Sequence, residues 1–172
     1  MKKLFVVTLI LAPFCSIAQE SNAIGTIFPE LEAESTEQKL TLPEDLNGKY
    51  SIIGLTYNKK SEESLMEWIS PLYNEFIGDD QVNTYIIMMF SGVNSAAEGI
   101  VKKIVVNSVD PEMLPHILFH KGELKQYQKF LDMLDRKDTS YFFVIDKTGK
   151  ILWATRGKYK NAKVQKLRSY IK

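Results

Sequence analysis

Residues 141–157 read YFFVIDKTGKILWATRG, and this stretch decides the fold. An unbroken run of apolar and aromatic residues ends at Asp146, which predicts a buried strand over residues 140–146. Residues 147–150 (KTGK) have the composition of a tight hairpin turn, and residues 151–155 are expected to pair back antiparallel. The stretch therefore predicts a β-hairpin with a buried first strand.

Strands and helices alternate on the N-terminal side of this hairpin. Apolar and β-branched runs predict strands over residues 50–57 and 82–90, with short strands within 24–42. Helices are expected over residues 95–106, 123–134 and 161–171, and over a segment capped by Ser61 or Ser64. The apolar residues of that segment share one helical face: Leu65, Trp68, Ile69, Leu72 and Phe76. The pattern predicts an α/β fold with a central mixed β-sheet flanked by helices, ending in a hairpin and a helix.

The first 18 residues have the three zones of a secretory signal peptide. Two lysines precede an apolar run over residues 4–14, and a small-x-small site ends at Ala18. The run is shorter than the ~18 residues that a membrane span needs. We therefore expect cleavage after Ala18, a short leader over residues 19–24, and a single domain over residues 25–172 in the periplasm or outside the cell. An uncleaved anchor is the alternative.

The single cysteine of the chain, Cys15, lies in this segment. Cleavage would leave no thiol for disulfide exchange, peroxide chemistry or soft-metal binding. It would also remove Lys2 and Lys3, so the 22 Lys and Arg residues become 20 against 21 Asp and Glu residues. This charge balance favours neither nucleic acid nor an anionic membrane surface as a partner.

The order of elements resembles the thioredoxin-like superfamily, in particular its exported thiol-disulfide reductases and peroxiredoxin-like domains. IGTIFPELEAES (residues 24–35) is similar to the opening segment of that superfamily, and LPEDLNGKYSIIGL (residues 42–55) to the lead into its first core strand. Residues 141–157 are similar to its final hairpin. The resemblance covers residues 23–172 and implies a thioredoxin-like fold.

The residues that carry redox chemistry in the superfamily are missing here. Redox members open the helix after the first core strand with Cys-x-x-Cys, where the helix N-terminus lowers the thiol pKa. Lys59 and Glu62 stand at about those positions, and Ser140 replaces the cis-proline before the third strand. The resemblance thus implies a degenerate active-site corner as the candidate binding surface: Tyr57, Asn58, Lys59, Lys60, Ser61, Glu62 and Ser140.

A second resemblance is to a cysteine-less thioredoxin-like family that includes a mitochondrial F-type ATPase assembly chaperone. FFVIDKTGKILWATRGK (residues 142–158) is similar to the C-terminal strand-turn-strand of that family. This resemblance implies a binding fold without redox activity, and it does not extend to a particular client.

Other chemistries are weakly supported. His116 and His120 are four residues apart and could face one way on a helix, as two metal ligands do. The chain has no third histidine and no glutamate between these two in the zincin pattern. Neither a nucleophile elbow nor a phosphate-binding loop is present. We expect no metal site, no cofactor and no catalytic residue, and we expect Trp68 to be a core residue.

The sequence thus predicts an exported thioredoxin-fold protein without redox cysteines, acting as a non-catalytic binding or chaperone-like module of the cell envelope. Its partner would be an envelope protein or peptide. One alternative is a thiol-disulfide oxidoreductase or peroxiredoxin homologue whose chemistry depends on the cysteines of a partner. Another is a structural accessory subunit of an envelope complex.

Overall fold

The computed structural model describes residues 21–46, 48–133, 136 and 138–171. The expected signal peptide and Cys15 lie outside these residues. The strands are β1 (Leu31–Glu34), β2 (Lys39–Leu42), β3 (Tyr50–Thr56), β4 (Val82–Phe90), β5 (Ile117–Lys121), β6 (Tyr141–Ile145) and β7 (Ile151–Arg156). The helices are α1 (Lys59–Phe76), α2 (Glu98–Ser108), α3 (Lys125–Phe130) and α4 (Asn161–Arg168). Short 3₁₀ helices cover Glu44–Leu46, Gly92–Ala97 and Pro111–His116.

The strands form one mixed seven-stranded sheet in the order β2-β1-β5-β4-β3-β6-β7. Strands β3, β4 and β5 are parallel, and the remaining neighbours are antiparallel. The carboxyl ends of β3, β4 and β5 therefore lie at the same edge of the sheet. This α/β architecture confirms the predicted fold class.

The sheet separates two layers of core because successive side chains of a strand point to opposite faces. Ile52 packs with Trp68, Phe142 and other residues of α1, β6 and α4, whereas Ile53 packs on the opposite face with α3 and the N-terminal segment. A smaller cluster under α2 contains Phe90, Met113, Ile117 and Phe119. Every side chain that was predicted to form the inner face of α1 is buried or half-buried.

The hairpin has the predicted geometry. Gly149 has a φ of +84° in the turn, a conformation that favours glycine. The Asp146 carboxylate accepts hydrogen bonds from the backbone N–H groups of Thr148 and Lys150 at 2.8 and 3.0 Å. Burial alone would raise the pKa of Asp146, but the hydrogen bonds from Thr148 and Lys150 outweigh it and lower the pKa.

The N-terminal segment extends the packed region beyond the expected boundary at residue 25. Gly25 N–H donates to the carbonyl of Ile151, and Ile151 N–H donates to the carbonyl of Thr26, both at 2.8 Å. Ala23 is buried in the core. Ala23, which belongs to the expected leader, is therefore part of the packed region.

Three differences from the expectations concern the middle of the chain. Strand β5 was not predicted, because Pro111 and Pro115 obscured the short apolar run that follows them. Helix α2 starts later than predicted, after a 3₁₀ segment. Helix α3 is shorter than predicted and ends before Asp132, which has a φ of +53°.

In the described part of the chain, no helix has both the length and the apolar content required to cross a bilayer.

Candidate functional site

The degenerate corner is built around the start of α1, which caps itself. Asn58 is the N-cap, and its side chain accepts hydrogen bonds from the backbone N–H groups of Lys60 and Ser61 at 3.0 and 3.1 Å. The Ser61 hydroxyl completes a capping box by accepting from the backbone N–H groups of Tyr57 and Asn58 at 2.8 and 2.9 Å. Two of the amides that could bind an anion at a free helix N-terminus, those of Lys60 and Ser61, are thus occupied by the Asn58 side chain.

Buried hydroxyl groups continue this network inward. The Ser61 hydroxyl lies 2.7 Å from the Thr56 hydroxyl and also donates to the carbonyl of Asn58 at 2.7 Å. One turn later, the hydroxyls of Ser64 and Ser140 lie 3.0 Å apart, and both residues are buried. Ser140 directly precedes β6, so this contact joins α1 to the adjoining loop where redox members place their cis-proline.

The end of β7 closes the same corner. Gly157 N–H donates to the carbonyl of Ser140 at 2.9 Å, and the indole N–H of Trp68 donates to the carbonyl of Gly157 at 2.9 Å. Trp68 has no exposed surface, and its ring stacks on Phe142 with 4.3 Å between the ring centroids. The prediction that Trp68 is a core residue is confirmed.

Tyr57 is also a core residue, contrary to its expected place on a binding surface. Its side chain is 7% exposed, its ring packs edge-on against Tyr141, and its hydroxyl contacts the Met133 sulfur at 3.1 Å. Burial raises the pKa of Tyr57 well above its usual range, so the phenol stays protonated. The side chain could not have been assigned to the core from sequence, because Met133 and Tyr141 are far away along the chain.

The seven candidate residues therefore divide into two sets. Tyr57, Ser61 and Ser140 are buried and cannot contact a partner directly. The exposed members are Asn58, Lys59, Lys60 and Glu62. Within the candidate corner, the accessible surface is thus formed by four polar or charged residues at the start of α1, and the buried residues hold that start in place.

The two histidines are not neighbours on a helix, so that interpretation of their spacing was wrong. His116 ends a 3₁₀ helix, and its Nδ1 lies 2.8 Å from the carbonyl of Thr84. His120 lies on β5, and its Nδ1 is 2.6 Å from the carbonyl of Glu32 on β1. Among the described residues, no group of three or more His, Cys, Asp and Glu side chains is arranged to hold a metal ion.

A pocket that the sequence did not predict opens beside His120. It has a volume of about 760 Å³ and lies between β1, the end of β5 and the start of α3. Glu30, Glu32, His120 and Tyr127 are among its lining residues. The alternating pattern of glutamates at positions 30, 32 and 34 was a signal that could have indicated a charged strand face.

Solved structures share this architecture at low sequence identity. The thioredoxin domain of a thiol-disulfide oxidoreductase from Bacteroides vulgatus is 14% identical, with 87% of this chain and 99% of that chain covered and a TM-score of 0.59. A thiol:disulfide interchange protein from Bacteroides sp. is 16% identical, with coverages of 87% and 90% and a TM-score of 0.60. A member of the Sco family of cytochrome c oxidase assembly proteins is 13% identical, with coverages of 88% and 96% and a TM-score of 0.58.

No protein-family model and no curated protein matches the sequence. The structural likenesses confirm the class of fold: this chain has the thioredoxin-like fold. The narrower resemblance to the cysteine-less assembly-chaperone family stays a prediction.

Proposed function

We propose that this protein is an exported, non-catalytic binding module of the cell envelope, built on a thioredoxin-like domain. The observation that carries the proposal is the self-capped start of α1. Lys59 and Glu62 stand where redox members carry their thiols, and Ser61 and Ser64 are committed to internal hydrogen bonds. The described residues contain no cysteine, because the single cysteine of the chain is Cys15.

The accessible part of the corner suits a polar protein or peptide partner. Lys59 and Lys60 project two positive charges close to the positive end of the α1 dipole. Two turns away, Met66 is 59% exposed on the same helix. Charged rim residues mainly set the rate and selectivity of association, so we expect the corner to orient a partner that also contacts neighbouring surface.

The names of the similar structures refer to thiol chemistry and, in one case, also to assembly. Two of the similar proteins are named for thiol-disulfide chemistry, and the Sco protein is described both as having a disulfide switch and as a member of a family of assembly proteins. For this chain the assembly type of role is favoured, because thiol exchange requires an attacking thiolate.

A disulfide-reductase assay on the purified exported form tests the catalytic part of the proposal. We expect turnover equal to the no-protein control, both with and without dithiothreitol. The double variant Lys59→Cys with Glu62→Cys restores the Cys-x-x-Cys pair and serves as the positive control for reductase activity at these two positions. Turnover by the unmodified protein would overturn the proposal and favour the redox alternative.

Site-specific photo-crosslinking tests the binding part. A photoreactive phenylalanine at Lys59 or at Lys60 should crosslink the same envelope protein, whereas the same group at Lys103, exposed on α2, should not. Reversal of the neighbouring charge with Lys60→Glu should reduce the Lys59 crosslink severalfold. Equal crosslinking from all three positions, or none from the corner, would contradict the proposal.

Export is tested by the intact mass of the protein recovered from the envelope fraction. We expect a mass that lacks residues 1–18 and a protein that does not react with maleimide. A mass that retains Cys15 would instead indicate an anchored form.

A further inference from the structure

Basic and acidic residues are unevenly distributed along the chain. Residues 147–172 contain nine lysines and arginines and no acidic residue, although the whole chain has 22 basic residues against 21 acidic ones. This segment includes β7, at one edge of the sheet, and α4. The nearly neutral composition of the whole chain therefore conceals a local excess of positive charge on two neighbouring parts of the fold.

Five of these cations lie at the end of β7, in the following loop and on α4. We call them the basic surface: Arg156, Lys158, Lys160, Lys163 and Lys166. All of them except Lys163 are exposed. Lys158 forms a salt bridge with Glu67 at 3.2 Å, whereas none of the described carboxylates forms one with the other four cations. Most of the positive charge of the basic surface is thus not neutralised by described residues.

Lys163 shows that cations of the basic surface repel one another. Its Nζ donates hydrogen bonds to the carbonyls of Arg156 and Lys158 at 2.6 and 3.0 Å. Burial lowers the pKa of Lys163, and the nearby charges of Lys160 and Arg156 lower it further. The protein by itself therefore carries a repulsion between like charges that an anionic partner would relieve.

The basic surface adjoins the start of α1. Ser64 contacts Ser140, the residue before β6, and Glu67 pairs with Lys158 in the loop after β7. Lys60 precedes Ser64 by four positions and Glu67 by seven, so these three residues lie on one face of α1. Positive charge therefore continues from the accessible part of the corner to the basic surface.

We propose that the partner of the corner carries an acidic polypeptide segment and that this segment binds across the basic surface. The inference rests on the binding role proposed above and names the chemistry of that partner. Carboxylates accept charge-assisted hydrogen bonds from lysine and arginine side chains. Complementary charge also speeds association and selects between partners, which suits a surface of exposed and flexible cations.

A bilayer surface fits the basic surface less well than an acidic polypeptide does. Helices that bind membranes combine cations with apolar side chains that enter the lipid. The exposed residues of α4 are polar or small: Asn161, Ala162, Gln165 and Lys166. None of the large hydrophobic side chains that are exposed in the described part of the chain belongs to residues 147–171. The surface thus offers charge without an apolar anchor.

NMR with a model peptide tests the proposal on the purified exported form. The probe is a short peptide that alternates Glu and Gly, and its control alternates Gln and Gly. In ¹H–¹⁵N spectra, the Glu peptide should shift the backbone amides of Lys158, Lys160 and Lys163, and leave those of Lys103 and Lys125 unchanged. The last two lysines are exposed on α2 and α3. Similar shifts at all these lysines, no shift at any, or equal shifts with the Gln peptide would overturn the proposal.

A pair of double variants with matched charge tests which lysines bind the peptide. Lys160→Gln with Lys166→Gln should weaken binding of the Glu peptide by at least about fivefold, because two charge-assisted contacts are lost. Lys103→Gln with Lys125→Gln removes the same charge elsewhere and should bind as the parent does. All four side chains are exposed, and thermal melts check that both variants fold. Equal weakening in the two variants would overturn the proposal.

Vesicles of phosphatidylglycerol and phosphatidylcholine test the lipid alternative. We expect the protein to stay in the supernatant when these vesicles are sedimented. Sedimentation with the vesicles that is lost in Lys160→Gln with Lys166→Gln would assign the basic surface to a bilayer and overturn the proposal.

Photo-crosslinking from Lys160 separates this inference from the proposed function. A photoreactive phenylalanine at Lys160 should capture the same protein as one at Lys60, and the crosslinked segment of that protein should be rich in Asp and Glu. Capture from Lys60 alone, or a crosslinked segment without acidic residues, overturns the inference and leaves the proposed function intact. Capture from Lys160 alone contradicts the role of the corner, and capture from neither position overturns both.

Discussion

The start of α1 and the pocket beside His120 lie at the same edge of the sheet, but they differ in whether their buried polar atoms are hydrogen-bonded. At α1, the hydroxyl of Ser61 contacts four polar groups of this chain, and Ser64 is paired with Ser140. At the pocket, His120 uses one ring nitrogen and leaves the other unpaired. The hydroxyl groups at the start of α1 thus help to hold the fold together, whereas Nε2 of His120 contributes no hydrogen bond to it among the described residues.

The comparison also bears on the residues that surround the positions where redox members carry cysteines. Around these positions, the side chains of Asn58, Ser61 and Ser64 form hydrogen bonds within this chain. The surface that remains at the corner belongs to side chains that point outward, such as Lys59. We therefore expect stability to depend on the buried part of the corner and partner binding on the exposed part.

The largest effect is expected from substitutions of Tyr57, which test whether this side chain belongs to the core or to the surface. Tyr57→Ala removes a buried aromatic ring and should lower the free energy of unfolding by about 3–5 kcal/mol. Tyr57→Phe keeps the ring and loses only the contact with Met133, so it should lower that free energy by about 1 kcal/mol. Urea denaturation followed by circular dichroism measures both. If Tyr57→Ala left the free energy of unfolding nearly unchanged, Tyr57 would be a surface residue and not a core residue.

Ser61→Ala tests whether the capping network maintains the corner. The substitution leaves the backbone N–H groups of Tyr57 and Asn58 without their acceptor, and we expect a loss of about 2–3 kcal/mol in unfolding free energy. Glu62→Ala at the next position is exposed and should stay within about 0.5 kcal/mol of the parent. Equal effects of the two substitutions would show that the network is dispensable.

Gly122→Ala tests the packing of the imidazole in the pocket. A Cβ at this position would approach Nε2 of His120 to 2.9 Å, and the ring is held in place by its bond to Glu32. We expect a loss of about 1–2 kcal/mol in unfolding free energy from this overpacking. Gly99→Ala is the matched control, because a Cβ there meets nothing within 4 Å. That change on α2 should stabilise the protein by about 0.5–1 kcal/mol. Stabilisation by both changes would mean that the imidazole is free to move.

The smallest effect concerns the charge of the pocket rather than stability. A hydrogen bond and ion pair from Lys39 hold the pKa of Glu32 below its ordinary value. Lys39→Gln removes both interactions, so the Glu32 pKa should rise towards the ordinary range in a carboxyl ¹³C NMR titration. Lys103→Gln, on α2, should leave this titration unchanged. A constant Glu32 pKa in both variants would show that the ion pair does not form in solution.

Different parts of the molecule differed in how far they could be predicted. Strand β4 was predicted with its observed bounds, because residues 82–90 are a long apolar run with clear ends. The hairpin was predicted from its turn residues, which act locally. Strand β5 was missed because a five-residue run after two prolines carries little periodicity.

The sequence by itself determined the order of the main elements, the α/β class of fold and the position of Lys59 and Glu62 at the start of the first long helix. These features depend on local periodicity, turn chemistry and capping residues, whereas the thioredoxin-like class was implied by the resemblance to that superfamily. Only the tertiary structure decided that Tyr57, Ser61 and Ser140 are buried, and that His120 faces Glu32 across two strands. Burial and pairing of this kind depend on residues that are far apart along the chain. Ser64 and Ser140, for example, are 76 positions apart. Local sequence patterns carry no information about such contacts.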